Sequence, residues 1–356
     1  MKIIITAPSL NPKENVSGIS SVVQFIINNN TNYEYIHFEV GKKDAESSNA
    51  FSRVKRILKN RKDWKKLLLE NRSAQIHYNM PLMGAAIIRD FLLLQVAHSM
   101  GLPIVLHIHG GRLMSNRNRP WIINKILNVL FSWSKHIIVL SDVEKQIIEE
   151  DFQVKNVYSL PNCIDLSEAR VFNRKRDLSK PLSILYLGRI EKNKGIDYIL
   201  EATKHLKNEG VDFVLNFAGM EENEGEYIPT FQQELGDRFI YQGVVYGQLK
   251  TDLLKSCEVF LLPSFYEGLP MSLIETMSFG MVPIVTKVGS ISTIVNDNKN
   301  GLFINVKDAN DIVMKIKLLL SNNGLLNDLS INAKNRVLEI FDDKAYIEKL
   351  NTLYKV

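Results

Sequence analysis

"LSILYLGRIEKNKGIDYILEATKHLKNEG", residues 182–210, decides the fold class. Its first seven residues (182–188) form a short, almost unbroken apolar run, the pattern of a strand buried on both faces. From Gly195 to Gly210 the apolar residues recur at helical spacing. A strand, a short loop and a helix make one unit of a parallel sheet. The same rhythm continues outward in both directions. Strand-like runs lie at 2–7, 33–40, 74–78, 103–109 and 136–141, and again at 213–219, 238–243, 258–263 and 282–286. Helical patterns lie between them, among them 18–29, 84–100 and 121–133. The chain is therefore expected to be α/β, built from two Rossmann-like doubly wound domains.

The stretch "DLSEARVFNRKRDLSKPL", 165–181 and flanking residue, is polar, charged and meets Pro181, so it reads as a linker. The expected domains are 1–170 and 171–339, with a last helix at about 340–356 packing back on the first. Ligands of doubly wound sheets bind beyond the carboxyl ends of the strands, so a cleft between the two domains is the expected site.

Bulk properties narrow the class. The 356 residues are 45% hydrophobic and 23% charged, an ordinary globular balance. Cys163 and Cys257 have no neighbours at metal-ligand spacing, which gives no support to a zinc site and suits a reducing compartment. The apolar start "MKIIITAPSLNP" is too short for a signal peptide. No apolar stretch reaches the roughly 20 residues that a membrane span needs. The net charge of +5 is uneven, because residues 1–170 hold 22 Lys and Arg against 15 Asp and Glu. Any acidic partner is expected to meet that half.

The residues just after the strands carry the chemistry. "GRIEKNKG" (188–195) places Arg189 and Lys194 in one short loop beside the start of a helix. Two cations near helix-terminal amides suit a phosphate or a diphosphate, whereas a solvated basic turn is the plainer reading. "EGLPMSLIE" (267–275) has an acid at each end. Pro270 starts the next helix, and Leu269 at the capping position offers no side-chain oxygen, leaving the first amides to a ligand. Glu267 then hangs before the helix and Glu275 lies inside it. Acceptors at two depths suit a ligand with hydroxyls at both ends and phosphates between, the shape of a nucleotide sugar. Either acid alone reads as a surface charge. In "LHIHGG" (106–111) His107 and His109 point to one face of their strand, with His109 at its carboxyl end, placed for a substrate hydroxyl. His107 reads as a core histidine. Gly18, before the first long helix, could bring amides to phosphate, but no GxGxxG pattern accompanies it.

Together these elements resemble the retaining glycosyltransferases of family 4, which have the GT-B fold. Glu267 and Glu275 match the family's E-x7-E motif, "GRIEKNKG" its Gly-Arg…Lys-Gly loop, and "PNCID" (161–165) the segment before its linker. The resemblance is dense in the second half only. It implies that Arg189 and Lys194 bind the donor diphosphate, Glu275 the ribose, and Glu267 and His109 the sugar. Gly268, Leu269, Pro270 and Met271 would supply donor-binding amides, and Gly18 would face the phosphates or acceptor. It further implies no metal and no other cofactor, a UDP-sugar as favoured donor, and a lipid-linked or growing surface glycan, such as capsule or O-antigen, as acceptor. Two departures stand out: Ser290 and Thr293 in "GSISTIV" replace a glycine and an acid, and Cys163 replaces a glycine. A GT-B sugar-nucleotide epimerase and a non-catalytic nucleotide-sugar-binding partner subunit are the alternatives. Acceptor-dependent release of nucleoside diphosphate separates them from a transferase.

"FSRVKRILKNRKDWKKLLLENR" (51–72) is dense in Lys and Arg, with Asp63 and Glu70 its only acids. Val54, Ile57, Leu58, Trp64 and Leu68 share one helical face. Such a helix suits an anionic membrane surface, or else packs its stripe on the core. With "GRLMSNRNRP" (111–120) it makes the inner face of the cell membrane, on the cytoplasmic side, the expected location. Nucleic acid is not an expected partner, because stacking aromatics do not interleave with the basic residues.

Overall fold

The computed structural model describes residues 1–11, 13–15, 17–41, 50–110, 119–221, 225 and 227–355, with the side chains of 50–53, 84 and 85 left aside. Residues 111–118 of the basic "GRLMSNRNRP" stretch lie outside the described residues. The chain divides into two compact units. One comprises Met1–Ile164 with Asp342–Val356, and the other is Asp165–Phe341.

The first unit holds strands β1 (Lys2–Ala7), β2 (Glu34–Glu39), β3 (Gln75–Met80), β4 (Ile104–Ile108), β5 (His136–Val139) and β6 (Val157–Ser159). They form a parallel sheet in the order β2-β1-β3-β4-β5-β6. The second unit holds β7 (Leu182–Leu187), β8 (Phe213–Ala218), β9 (Phe239–Tyr241), β10 (Val259–Leu262), β11 (Val282–Thr286) and β12 (Leu302–Ile304). Its parallel order is β12-β11-β10-β7-β8-β9. Both orders are doubly wound: the chain moves outward from a central strand in one direction, then in the other. β6 and β12, which the apolar pattern does not reveal, are three-residue edge strands, too short to show a pattern.

The expected linker is partly folded onto the second unit. Ser167–Val171 is helical, and the Arg174 guanidinium donates to the carbonyls of Leu254 (2.6 Å), Lys255 (3.1 Å) and Phe279 (3.1 Å). Arg176 lies 2.6 Å from Glu258. These charges looked like solvated linker in the sequence because the carbonyls that hold them are about 80 or more residues away. Burial pushes the Arg174 pKa down to about 10. Cys163 has no positive φ, so its backbone does not need the glycine it replaces.

The final helix, Asp343–Tyr354, belongs to the first unit. Asp342 caps it through the amides of Lys344 and Ala345. Tyr346 packs edge-on to Phe25 and Tyr354 edge-on to Tyr33. On the basic helix Ala50–Glu70 the structure separates the expected stripe. Trp64 and Leu68 are fully buried, and Trp64 Nε1 donates to the Leu93 carbonyl at 2.9 Å, whereas Val54 and Leu58 are exposed. Trp64 is thus a core residue and no membrane anchor: burying its ring and satisfying its one donor outweighs exposure.

Candidate functional site

β7 and β10 are neighbours, and the connections after them leave in opposite directions across the sheet. This is the topological switch point of the second unit, where the loops part and leave room for a ligand. The loop after β7 carries Arg189 and Lys194, and the loop after β10 carries Glu267.

The two loops touch through backbone. Gly195 has φ +75°, and a Cβ there would lie 2.2 Å from the Pro263 carbonyl oxygen. Phe265 donates its amide to the Asn193 carbonyl at 2.9 Å. Glycine is required both for the left-handed conformation and for the approach. The contact delivers the Lys194 side chain to the acid: Nζ lies 2.7 Å from Glu267 Oε1. Ser264 Oγ donates to the same oxygen at 2.7 Å, and Thr286 Oγ1 ties the Ser264 carbonyl at 2.6 Å. Glu267 is buried, so its charge is held by a cation and a hydroxyl rather than by bulk water.

A third loop closes the cluster. Gly289 has φ +54°, and a Cβ there would meet the Glu267 carbonyl oxygen at 1.9 Å. Ser290 donates its amide to the Gly268 carbonyl at 3.0 Å. The departing "GSIS" loop therefore keeps the one glycine that packing demands, and Ser290 acts through its backbone. Beneath, buried Tyr186 donates its hydroxyl to the Arg189 carbonyl. Burial, with Glu267 and Glu191 nearby, pushes its pKa well above the ordinary phenol range, so it stays a donor. The Arg189 side chain is exposed.

The helix after Glu267 spans Met271–Ser278, one residue later than expected. Pro270, not Leu269, is the capping residue. Its ψ of 124° is extended, and Leu269 is buried. The cap makes no side-chain hydrogen bond to the first amides. Glu275, half-buried on this helix, meets Lys250 Nζ at 2.7 Å, and Lys250 comes from the helix Gly247–Ser256. Each acid of the E-x7-E pair is thus clamped by its own lysine.

Gly18 and His109 belong to the first unit. Gly18 opens the helix Gly18–Asn29, whose cap Ser17 makes no side-chain hydrogen bond. His109 follows β4. Its Nε2 lies 2.6 Å from Asn79 Oδ1, while Asn79 Nδ2 donates to the Thr6 carbonyl at 2.8 Å. The amide orientation makes Nε2 the protonated nitrogen and leaves Nδ1 a buried acceptor with no hydrogen-bond partner among the described residues. Burial lowers the His109 pKa to about 3, so the ring is neutral. His107 packs against it, with ring centroids 4.1 Å apart, and His107 Nδ1 lies 3.1 Å from His77 Nε2. His77 Nδ1 meets the Tyr354 hydroxyl at 2.5 Å. His107 is the core residue expected. The His109 Nδ1 acceptor is itself occluded in this structure.

The structure adds Lys250, Ser264 and Gly289 to the site. Ser264 was visible as the polar residue ending an apolar strand. Lys250 had no signal, because its helix reads as an ordinary amphipathic one. Among the described residues no three His, Cys, Asp or Glu side chains cluster as metal ligands.

Residues 34–168 match Glycosyltransferase Family 4, and residues 169–336 match Glycosyl transferases group 1. The two matches are contiguous and take in most of the chain. The chain belongs to glycosyltransferase family 4. This glycosyltransferase is 24% identical over 281 residues to the Escherichia coli UDP-Gal:alpha-D-GlcNAc-diphosphoundecaprenol alpha-1,3-galactosyltransferase, covering 72% of this chain and 70% of that one. Its fold is that of sucrose-phosphate synthase from Thermosynechococcus elongatus, with TM-score 0.77 at 18% identity over 99% of this chain and 98% of that one. It is also that of Anabaena HepE in complex with UDP and glucose, with TM-score 0.74 at 14% identity over 100% of both chains. The glycosyltransferase therefore has the GT-B fold, two Rossmann-like domains, as the resemblance implied.

Proposed function

We propose that this glycosyltransferase moves a hexose from a UDP-sugar to a lipid-linked glycan, with retention at the anomeric carbon and without a metal. The observation that carries the reading is the Lys194–Glu267 pair at the switch point of the second unit. A diphosphate entering there meets Lys194 and Arg189, and the acid that Lys194 releases is left to accept sugar hydroxyls. Glu275, clamped from the side by Lys250, is one and a half turns further along and takes the ribose diol. Chemically, the bond from the anomeric carbon to the diphosphate breaks, and an acceptor hydroxyl bonds to that carbon on the same face. Its proton leaves with the nucleoside diphosphate. Charge grows on the departing diphosphate, so the two cations act more strongly in the transition state than in the ground state.

UDP as the base carrier is supported by the names of the E. coli relative and of the HepE complex, and a lipid-linked acceptor by the former. The test is release of UDP from a panel of UDP-sugars, with and without an undecaprenyl-diphosphate-linked acceptor, and analysis of the product's anomeric configuration. Acceptor-dependent release with a retained configuration is expected. Donor binding without release under any acceptor would make the chain a binding subunit instead.

A further inference from the structure

Trp64, the sequence's candidate for a membrane anchor, is buried, yet the same face of the first unit carries other large apolar side chains in the open. Val54, Leu58, Met83, Ile88 and Trp121 are each more than half exposed, and Ile122 is exposed beside Trp121. They come from three helices, Ala50–Glu70, Gly84–Ser99 and Trp121–Trp133, and from Met83, the cap of the second; the helices lie side by side over one face of the sheet. The first two join through Trp64 Nε1 and the Leu93 carbonyl, and the last two through Trp133, which stacks on Phe91 and His98.

Counting from those contacts puts Val54, Met83 and Trp121 at one level, with Leu58 and Ile88 about a turn further along their helices. Val54 lies ten residues before Trp64, and Met83 ten before Leu93, so each is about 15 Å back along its helix. Trp121 is twelve residues before Trp133, whose partners Phe91 and His98 straddle residues 94–95. That returns it to the level of Met83. In a parallel sheet the helix N-termini lie at the edge where the strands end. The apolar side chains thus gather at the carboxyl edge of the sheet, the edge on which His109 follows β4.

The surrounding charge is one-sided. Of the three helices, the first holds eight Lys and Arg and the others one each, against Asp63, Glu70 and buried Asp90. Lys55, Lys59 and Lys62 are exposed close to Val54 and Leu58 in sequence, and Lys125 Nζ lies 4.8 Å from the centre of the Trp121 ring. A basic surface bearing a Trp and aliphatic side chains along one edge matches the interface of an anionic bilayer, where headgroups meet the cations and the aromatic ring sits at headgroup depth. We propose that this edge of the first unit, led by Trp121, Ile122, Val54 and Leu58, docks on an anionic lipid surface. The inference deepens the lipid-linked acceptor of the proposed function: the docking edge is the one on which His109 stands, so an acceptor held by its lipid is presented at the ligand end of the sheet.

The experiment is flotation of the full chain with vesicles of equal parts phosphatidylglycerol and phosphatidylethanolamine, and with pure phosphatidylcholine. Turnover on a short-chain, water-soluble acceptor is followed in parallel. Binding to the anionic vesicles alone is expected, weakening with salt. Trp121→Ser/Ile122→Ser and Lys55→Glu/Lys59→Glu/Lys62→Glu should each lower it at least about tenfold, while Met314→Ser, exposed on the second unit, leaves it unchanged. The Trp fluorescence of the wild type should shift to the blue on vesicles, and the shift should vanish in Trp121→Phe. Partitioning unchanged in both multiple variants overturns the proposal, as does no binding to the anionic vesicles. So does a wild-type dimer in light scattering that the Trp121→Ser/Ile122→Ser change converts to monomer, which would assign the edge to a second copy. Turnover on the soluble acceptor reports on the transferase reading separately, since these variants should keep it.

Discussion

Lys194 Nζ and Glu267 Oε1 lie 2.7 Å apart, although 73 residues separate them in the chain. The pair exists because Gly195 lets the loop after β7 press onto Pro263 at the end of β10. Lys194→Ala should leave the buried Glu267 carboxylate with Ser264 alone and remove a cation from the departing diphosphate. A fall in kcat/KM of about 10²–10³ is expected. Lys192→Ala, in the same turn but exposed, should be close to wild type. Equal losses in both would mean that the loop contributes only general positive charge.

Lys250 fixes the Glu275 carboxylate from a neighbouring helix. Lys250→Ala should weaken UDP binding about tenfold, equivalent to roughly 1.4 kcal/mol, and Lys250→Arg should restore most of it. Calorimetric titration with UDP reads this directly. Unaltered affinity in the alanine variant would reduce the pair to a surface bridge.

Gly289→Ala should be costly out of proportion to one methyl group. Its Cβ would meet the Glu267 carbonyl oxygen at 1.9 Å, and its φ of +54° is strained for any side chain. A stability loss of about 1–3 kcal/mol is expected, with a drop in turnover, because the acid's own backbone has to move. Thermal melting and steady-state rates together check it. Ser290→Ala, which keeps the amide bond to Gly268, should be nearly silent in both.

The first unit should be acid-labile. Burial lowers the His77 and His109 pKa values to about 3 and that of His107 well below its ordinary 6.5. The folded rings stay neutral while the unfolded chain takes up protons below about pH 6.5. Folding stability therefore falls as pH drops from about 6.5 toward 3, by up to roughly 1.4 kcal/mol per pH unit for each ring. The melting temperature should decline steeply between pH 7 and 5, and His77→Gln should flatten the slope. A flat profile in the wild type would contradict the buried neutral chain.

Turnover should be unaffected by EDTA, with Arg189 and Lys194 supplying the positive charge at the diphosphate. Activity lost to the chelator and restored by a divalent ion would reject the metal-free reading.

The sheet pattern was legible in the sequence because strands buried on both faces leave near-continuous apolar runs, as in β7 and β10. Arg189, Lys194 and Glu267 became candidates because doubly wound sheets put ligand groups where strands stop, and Glu275 by its spacing from Glu267. Tertiary structure alone decided which groups pair. Lys250 reaches Glu275 across helices, Arg174 turns a supposed linker residue into a staple on three carbonyls, and Trp64, which periodicity grouped with Val54 and Leu58, is buried while those two are exposed. Sequence periodicity reports which residues share a face, but which face is covered, and by which distant side chain, depends on contacts between segments far apart in the chain.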